Sequence, residues 1–182
     1  FTALTAISPT GQSRPFNKYA DGLLPSEGCA FVVLKRLSDA LKDGDNIKGV
    51  IRGIGLSNDG RSGGFLLPSV EGQKRCINRA FENSDIDIKD ISLLECHATG
   101  TRGGDEAEID TMIDLFSECK DLKISSIKAN LGHLITASGA AGLIKILACI
   151  KNETLPATPN AFPLHPKIEN SGLNVLKKAE KW

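Results

Sequence analysis

Two histidines, His97 in ECHATGT and His133 in KANLGHL, each stand in a turn of small residues directly after a strand-like apolar run. Imidazole N–H groups projecting from strand ends can polarise a carbonyl or stabilise an oxyanion, and two converging on one oxygen make an electrophilic site. The chemistry this pattern points to is therefore carbonyl chemistry. Thr99 and Thr101 flank Gly100 after His97, in a turn at a strand's carboxyl end, where open α/β sheets place ligands; the same hydroxyls could equally bond their own backbone. His133 follows Gly132 and precedes a helical pattern whose N-terminal N–H groups favour negative charge. Lys128, just ahead of that turn, reads either as a surface lysine or as a semi-buried cation that orients the site, with Asp105 and Glu108 as its candidate partners. Those two carboxylates could also serve only to stabilise the start of their own helix. His165, in PLHPK, reads as a loop residue.

No cysteine fits the role of nucleophile. Cys29 falls in a buried-strand pattern, Cys96 should point to the opposite face of its strand from His97, and Cys76, Cys119 and Cys149 read as helix residues.

The elements that must carry these groups alternate between strand and helix. Ser26 to Leu37 contains the continuous apolar run Ala30 to Leu34, expected of a strand buried on both faces. Leu37, Ala40 and Leu41 give a short helix closed by Gly44 and Asp45, and IKGVIRGIGL over Ile47 to Leu56 suggests a second strand close to other backbone. Asn58, Asp59, Gly60, Gly63 and Gly64 mark a long loop. Ser69 is placed to cap a helix with Ile77, Ala80 and Phe81 on one face. A short strand from Ile91 to Cys96 ends at His97. Beyond Gly103 and Gly104, Asp105, Glu106 and Glu108 load the first turn of a helix that carries Ile109, Met112, Ile113 and Phe116 at helical spacing. A strand over Leu122 to Ile127 ends at Lys128, and the helix from about Thr136 to Ile150 is apolar nearly all round, so protein must enclose it. Prolines 156, 159, 163 and 166 hold the next segment extended, before a last short strand at Leu173 to Leu176. This alternation indicates an α/β layered domain with no internal linker.

Composition narrows the classes. The 182 residues are 41% hydrophobic, enough for a core, and 22 basic against 22 acidic residues leave no field that would draw the chain to nucleic acid or an anionic membrane. No stretch was expected to span a bilayer; Ala137 to Ile150, with Lys145 and its glycines, reads as a buried helix. Five scattered cysteines without a CxxC pair argue against a disulfide framework or a zinc cage and suggest a cytoplasmic setting. A start on Phe1 and a stop at Trp182 suggest an excised piece of something longer. The GGDE run at Gly103 to Glu106 resembles the signature of cyclic-dinucleotide synthases, but helical periodicity continues through it, where that signature sits on a hairpin.

Taken in order, the segments RPFNKYADGLLPSEGCAFVVLKRLSDA, LLPSVEGQKRCINRAF, ECHATGTRGGDEAE and IKANLGHLITASGAAGLIK, with the proline-rich stretch after them, resemble the C-terminal half of a β-ketoacyl synthase. That family comprises thiolase-fold condensing enzymes of polyketide and fatty-acid synthases. The resemblance implies a partial ketosynthase domain over residues 1–182, truncated at both ends, and decarboxylative Claisen condensation as the parent's reaction. It also implies roles: His97 and His133 would hydrogen-bond the malonyl thioester carbonyl and stabilise the enolate, Lys128 would orient the site, and Thr99 and Thr101 would contact the pantetheine arm. No cofactor is implied beyond the phosphopantetheine of an acyl carrier protein. The implied partners are that carrier protein, an N-terminal ketosynthase half, and a second copy of the full-length parent.

Three departures stand beside the resemblance. The family's nucleophilic cysteine belongs to its N-terminal half and has no counterpart among the five cysteines here, so the chain alone is expected to be inactive. A Gly-Phe-Gly-Gly segment expected shortly after Trp182 is absent. Gly142 stands where dissociated bacterial fatty-acid enzymes often carry glutamate, in the manner of the multidomain polyketide type, and Ala98 replaces a commoner glycine. A non-catalytic chain-length-controlling or decarboxylase-like subunit is the alternative reading.

Overall fold

The computed structural model describes residues 5–61, 68–119 and 121–182. Its centre is a parallel pair, β1 (Leu93–Glu95) and β2 (Lys123–Ser125), in the register Leu93 to Lys123, Leu94 to Ile124 and Glu95 to Ser125. The helix α3 (Arg102–Phe116) lies in the crossover connection that two parallel strands require, returning the chain to the edge of β1. Leu173 to Leu176 runs on the other side of β2: Ile124 N–H donates to the Asn174 carbonyl at 2.9 Å, and Asn174 makes a single parallel bridge to Lys123. The expected last strand is thus a bridge, and the strand that follows it is β4 (Glu180–Lys181), paired antiparallel with β3 (Thr154–Leu155).

Helical spacing in α3 puts Ile109, Met112 and Phe116 on one face, and these are buried with Phe16, Leu122, Ile124, Ile168 and Val175 in one core. The helix α2 (Val70–Glu82) packs on α3, with the Phe81 and Phe116 rings edge to face at 6.4 Å. Ser69 caps it as expected, its hydroxyl accepting the Gly72 N–H at 3.1 Å. The short helix α1 (Leu37–Lys42) forms where Leu37, Ala40 and Leu41 placed it. A four-residue helix, α4 (Lys128–Leu131), follows β2, and α5 (Ser138–Asn152) follows a 3-10 turn at Ile135–Ala137. The remaining helix, α6 (Pro166–Glu169), is capped by His165, whose Nδ1 accepts the Lys167 N–H at 3.3 Å. His165 therefore fixes a helix start and is more than a loop residue.

Several expectations need correction. No strand forms along Ser26 to Arg36, Leu37 already begins α1, and Phe31 and Val33 are 94% and 96% exposed. A strand is defined by a neighbour's backbone, and among the described residues no ladder pairs with residues 27–36. Cys29 is accordingly exposed, and Cys119 lies in the turn after α3 instead of within it. Ile47 to Leu56 likewise forms no strand, yet its glycines do approach other backbone: a Cβ on Gly53 or Gly55 would run into the carbonyls of Ala80 and Cys76 on α2. Side chains of α2 take up its carbonyls instead, with Arg79 donating to Leu56 at 2.6 Å. Gly63 and Gly64 of the expected loop, with Leu66 and Leu67, lie outside the described residues.

The apolar helix α5 is not enclosed within this chain. Only Ser138, Gly142 and Cys149 are buried along it, and Ile144 and Ile150 are nearly half exposed. The 18 residues Ile135–Asn152 are also long and apolar enough to cross a membrane by length and composition, which overturns the expectation that no stretch is. Lys145 in the middle of that segment instead joins it to the end of β1 through Glu95, at 2.6 Å.

Phe31, Val33, Leu34, Ile144 and Ile150 leave apolar side chains exposed along residues 30–34 and α5, the kind of surface that marks an interaction face. The isolated 182-residue chain should therefore self-associate, and size-exclusion chromatography with light scattering that returned a monodisperse monomer would contradict this.

Candidate active site

The chain leaves β1 at Glu95 and must turn immediately, because Gly100 has φ +80° and lies against the backbone of Arg14 and Gly22. Four successive backbone N–H groups in that turn would be left without partners. Two carboxylates on the first turns of α3 accept all four. Glu108 takes His97 N–H on Oε1 and Ala98 N–H on Oε2, both at 2.7 Å. Asp105 takes Thr99 N–H at 2.9 Å and Gly100 N–H at 3.0 Å on Oδ1, and Phe16 N–H at 3.0 Å on Oδ2. Ser126 closes the other side by donating to the Ala98 carbonyl at 2.8 Å. The Thr99 and Thr101 hydroxyls face each other at 2.9 Å, Thr99 buried and Thr101 at the start of α3.

Lys128 opens α4 directly after β2 and is 4% exposed, so the surface reading of this residue does not hold. Asp105 and Glu108 are not its hydrogen-bond partners, since their oxygens are taken by the histidine turn. The ammonium lies 3.5 Å from the Cys96 carbonyl, and the negative charges of Glu95, Glu108 and Asp105 act on it through space. Burial nevertheless holds its pKa below the usual lysine value.

The second histidine turn is fixed through its backbone. Gly132 has φ 74° and ψ −170°, and a Cβ there would lie 2.6 Å from the Leu24 carbonyl. That closeness lets His133 N–H donate to Leu24 at 2.7 Å while Ser26 N–H donates to the His133 carbonyl at 2.9 Å. The start of the apolar 26–37 stretch therefore serves as a brace for His133. The His133 Nδ1 accepts the Ile135 N–H at 3.0 Å and lies 2.9 Å from the Ser138 hydroxyl. An amide N–H can only donate, so the ring proton belongs on Nε2, the atom that faces away from the turn. The N–H that meets the ring comes from the 3-10 turn, not from the α5 terminus itself.

The two turns bring the rings of His97 and His133 together, with centroids 5.2 Å apart at an interplanar angle of 81°. Beside His97 is an open cleft of about 300 Å³ that Glu95, Cys96, His97, Lys128, Ser138 and Gly142 help to line. Desolvation, then the Lys128 cation and the His133 ring, bring the His97 pKa down to about 4, and His133 is lowered by burial and Lys128. Both imidazoles are thus held neutral, each with one N–H to give. Burial drives Glu108 up to about 7 and Asp105 to about 6, against the lowering effect of the amides they accept. Cys96 points away into the core, its sulfur 3.4 Å from that of Met112, and burial raises its thiol far above the thiolate range. Gly103 to Glu106 lie in the first turns of α3, not on a hairpin, and among the described residues no group of three or more His, Cys, Asp or Glu side chains could hold a metal ion.

Sequence reasoning passed over Glu95, Ser138 and the bracing role of Leu24. A lone lysine in an apolar helix was the available signal for Glu95, because such a cation needs a carboxylate nearby.

Residues 48–162 match the C-terminal domain of β-ketoacyl synthases, and residues 1–40 match the N-terminal domain of the same enzymes. The chain belongs to the β-ketoacyl synthase family. Its first forty residues are thus the end of the family's N-terminal domain, which refines the expectation of a C-terminal half alone. The orsellinic acid synthase ArmB of Armillaria ostoyae is 41% identical over 167 residues, 90% of this chain and 8% of that protein. The ketosynthase from module 6 of the bacillaene synthase of Bacillus subtilis 168 superposes with a TM-score of 0.94 at 35% identity, over 100% of this chain and 34% of the other. The ishigamide ketosynthase/chain length factor is 28% identical with a TM-score of 0.89, over 100% of this chain and 43% of its own. The fold is thiolase-like, and the chain spans about a third of the solved ketosynthase it matches.

Replacing Gly132 with alanine forces a side chain into a backbone region that is nearly glycine-only and against the Leu24 carbonyl. Thermal or urea unfolding should show a loss of about 2 kcal/mol or more. In an NMR titration the His97 ring should protonate with a midpoint near 4, below the usual histidine value. Lys128→Gln removes a repelling cation and should raise that midpoint part of the way back; an unchanged midpoint would exclude Lys128 as a cause.

Proposed function

We propose that this chain supplies the electrophilic half of a ketosynthase site, in which an acyl group is condensed with a malonyl-type thioester carried on an acyl carrier protein. The supporting observation is the meeting of the His97 and His133 imidazoles, 5.2 Å apart, with His97 and the buried Lys128 lining one cleft. In this reading the His97 and His133 N–H groups donate to the malonyl thioester oxygen. As the carboxylate leaves as carbon dioxide, the electron pair of the broken C–C bond moves toward that oxygen, and the two donors stabilise the enolate as its charge develops. The enolate carbon then attacks the acyl thioester carbonyl, forming the new C–C bond as the C–S bond breaks and its electron pair leaves with the cysteine thiolate of the remainder of the ketosynthase. Burial first, and then the Lys128 charge, keep both rings neutral, since a second cation beside Lys128 costs energy. Thr99 and Thr101 contact the pantetheine arm, and Asp105 and Glu108 orient the His97 turn.

The nucleophilic cysteine comes from the remainder of the ketosynthase, so this chain alone does not condense. The partners proposed are the rest of that domain, an acyl carrier protein, and a second copy of the full-length parent, in the cytoplasm. No cofactor is required beyond the carrier's phosphopantetheine. The second reading, a chain-length-controlling or decarboxylase-like subunit, is favoured by the similarity to the ishigamide ketosynthase/chain length factor. The upstream coding sequence separates the two: a cysteine in a small-residue nucleophile motif supports condensation, and glutamine in its place supports the second.

In the full-length parent, His97→Ala or His133→Ala should slow malonyl decarboxylation by about a hundredfold or more, the scale of losing one oxyanion donor. Parental rates in both variants would remove the proposed roles.

A further inference from the structure

We propose that Glu95 and Lys145 act as a single positioning pair that fixes His97, Lys128 and His133 relative to one another, an inference that rests on the ketosynthase reading above. Their side chains are only 11% and 8% exposed and meet at 2.6 Å. The carboxylate is used fully: Oε1 accepts the Ile127 N–H at 2.6 Å, while Oε2 accepts the Ser125 hydroxyl at 3.0 Å as well as the ammonium. Lys145 completes a triangle by donating to the Ser125 oxygen at 2.9 Å.

Each corner of this arrangement is covalently close to one member of the site. Glu95 ends β1 immediately before the turn that carries His97. Ile127 is the residue before Lys128, and its N–H is held by Glu95 Oε1. Lys145 lies two turns along α5 from Ser138, whose hydroxyl is 2.9 Å from the His133 ring. One ion pair therefore links the ends of both strands and the helix behind the second histidine. Gly142, one turn before Lys145, makes room for it: a Cβ there would stand 3.1 Å from Glu95 Cγ.

The pair is suited to fixing geometry because it is costly to break and hard to displace. Removing one partner leaves an uncompensated buried charge, whereas removing both does not. A shift of about 1 Å between donors that must meet one oxygen costs rate far more than it costs binding, on the order of a hundredfold. The loss should therefore appear in kcat.

The experiment uses the full ketosynthase that contains this chain, with malonyl-thioester decarboxylation as the readout and circular dichroism to establish folding. Glu95→Gln and Lys145→Met should each lower kcat by about 10- to 100-fold with KM within about twofold, and Lys145→Arg should keep kcat within about threefold. The double variant Glu95→Gln/Lys145→Met should lose no more than the worse single variant, as two groups acting as a unit do. If the single variants fail to fold, the double variant decides, since it leaves no unpaired charge. Parental kcat in a folded double variant overturns the inference, as does a double loss equal to the product of the two single losses. His97→Ala and His133→Ala are measured in parallel. If they lose activity while the Glu95 and Lys145 variants keep it, only the pairing fails; if they keep it, the ketosynthase reading of the site fails first.

Discussion

Everything at this site depends on how four consecutive amides are satisfied. The turn from His97 to Gly100 is too tight for secondary structure, and its N–H groups would be stranded without Glu108 and Asp105. A helix presents residues three apart on one face, so two carboxylates one turn apart can reach along a turn that crosses the helix start. The arrangement makes the backbone of the histidine turn as rigid as the helix that holds it. These acids are spent on backbone amides, Glu108 accepting two and Asp105 three, and neither makes a hydrogen bond to Lys128.

A buried cation without a contact carboxylate is unusual, and here it has a definite electrostatic effect. Lys128 sits among negative charges that act on it at a distance, while burial first, and then the Lys128 charge, hold the two imidazoles unprotonated. The two rings are thus neutral hydrogen-bond donors beside a cation that is itself surrounded by carboxylates.

The histidines, Lys128 and the helical spacing of α3 were legible because each is a local pattern: a strand-like run, a small-residue turn, a charged first turn. What spacing does not encode is partnership across the fold. Asp105 and Glu108 read as helix stabilisers or as partners for lysine, whereas their true partners are backbone atoms that carry no side-chain signature. Glu95 carries no signal of its own in the sequence, because the Lys145 that meets it lies fifty residues away. The run from Ala30 to Leu34 shows the converse error. Hydrophobicity reports that a segment needs covering, and Phe31 and Val33 show that the cover need not lie in the same stretch of chain. The apolar run Ala137 to Ile150 is shorter than a bilayer span, and only the helical residues on either side of it bring the segment to the 18 residues of Ile135–Asn152.

The amide of Ile135 has one further effect on His133. A proton shuttle needs an exit on the rear nitrogen, so that a proton taken on one side of the ring can leave on the other. Here the rear nitrogen accepts from a peptide N–H that cannot take a proton, and its one exchangeable neighbour is the Ser138 hydroxyl at 2.9 Å. Any relay through the rear of the ring would have to pass by way of that single hydroxyl, so the side chain at 138 decides whether His133 is a clasp on its ligand or a conduit.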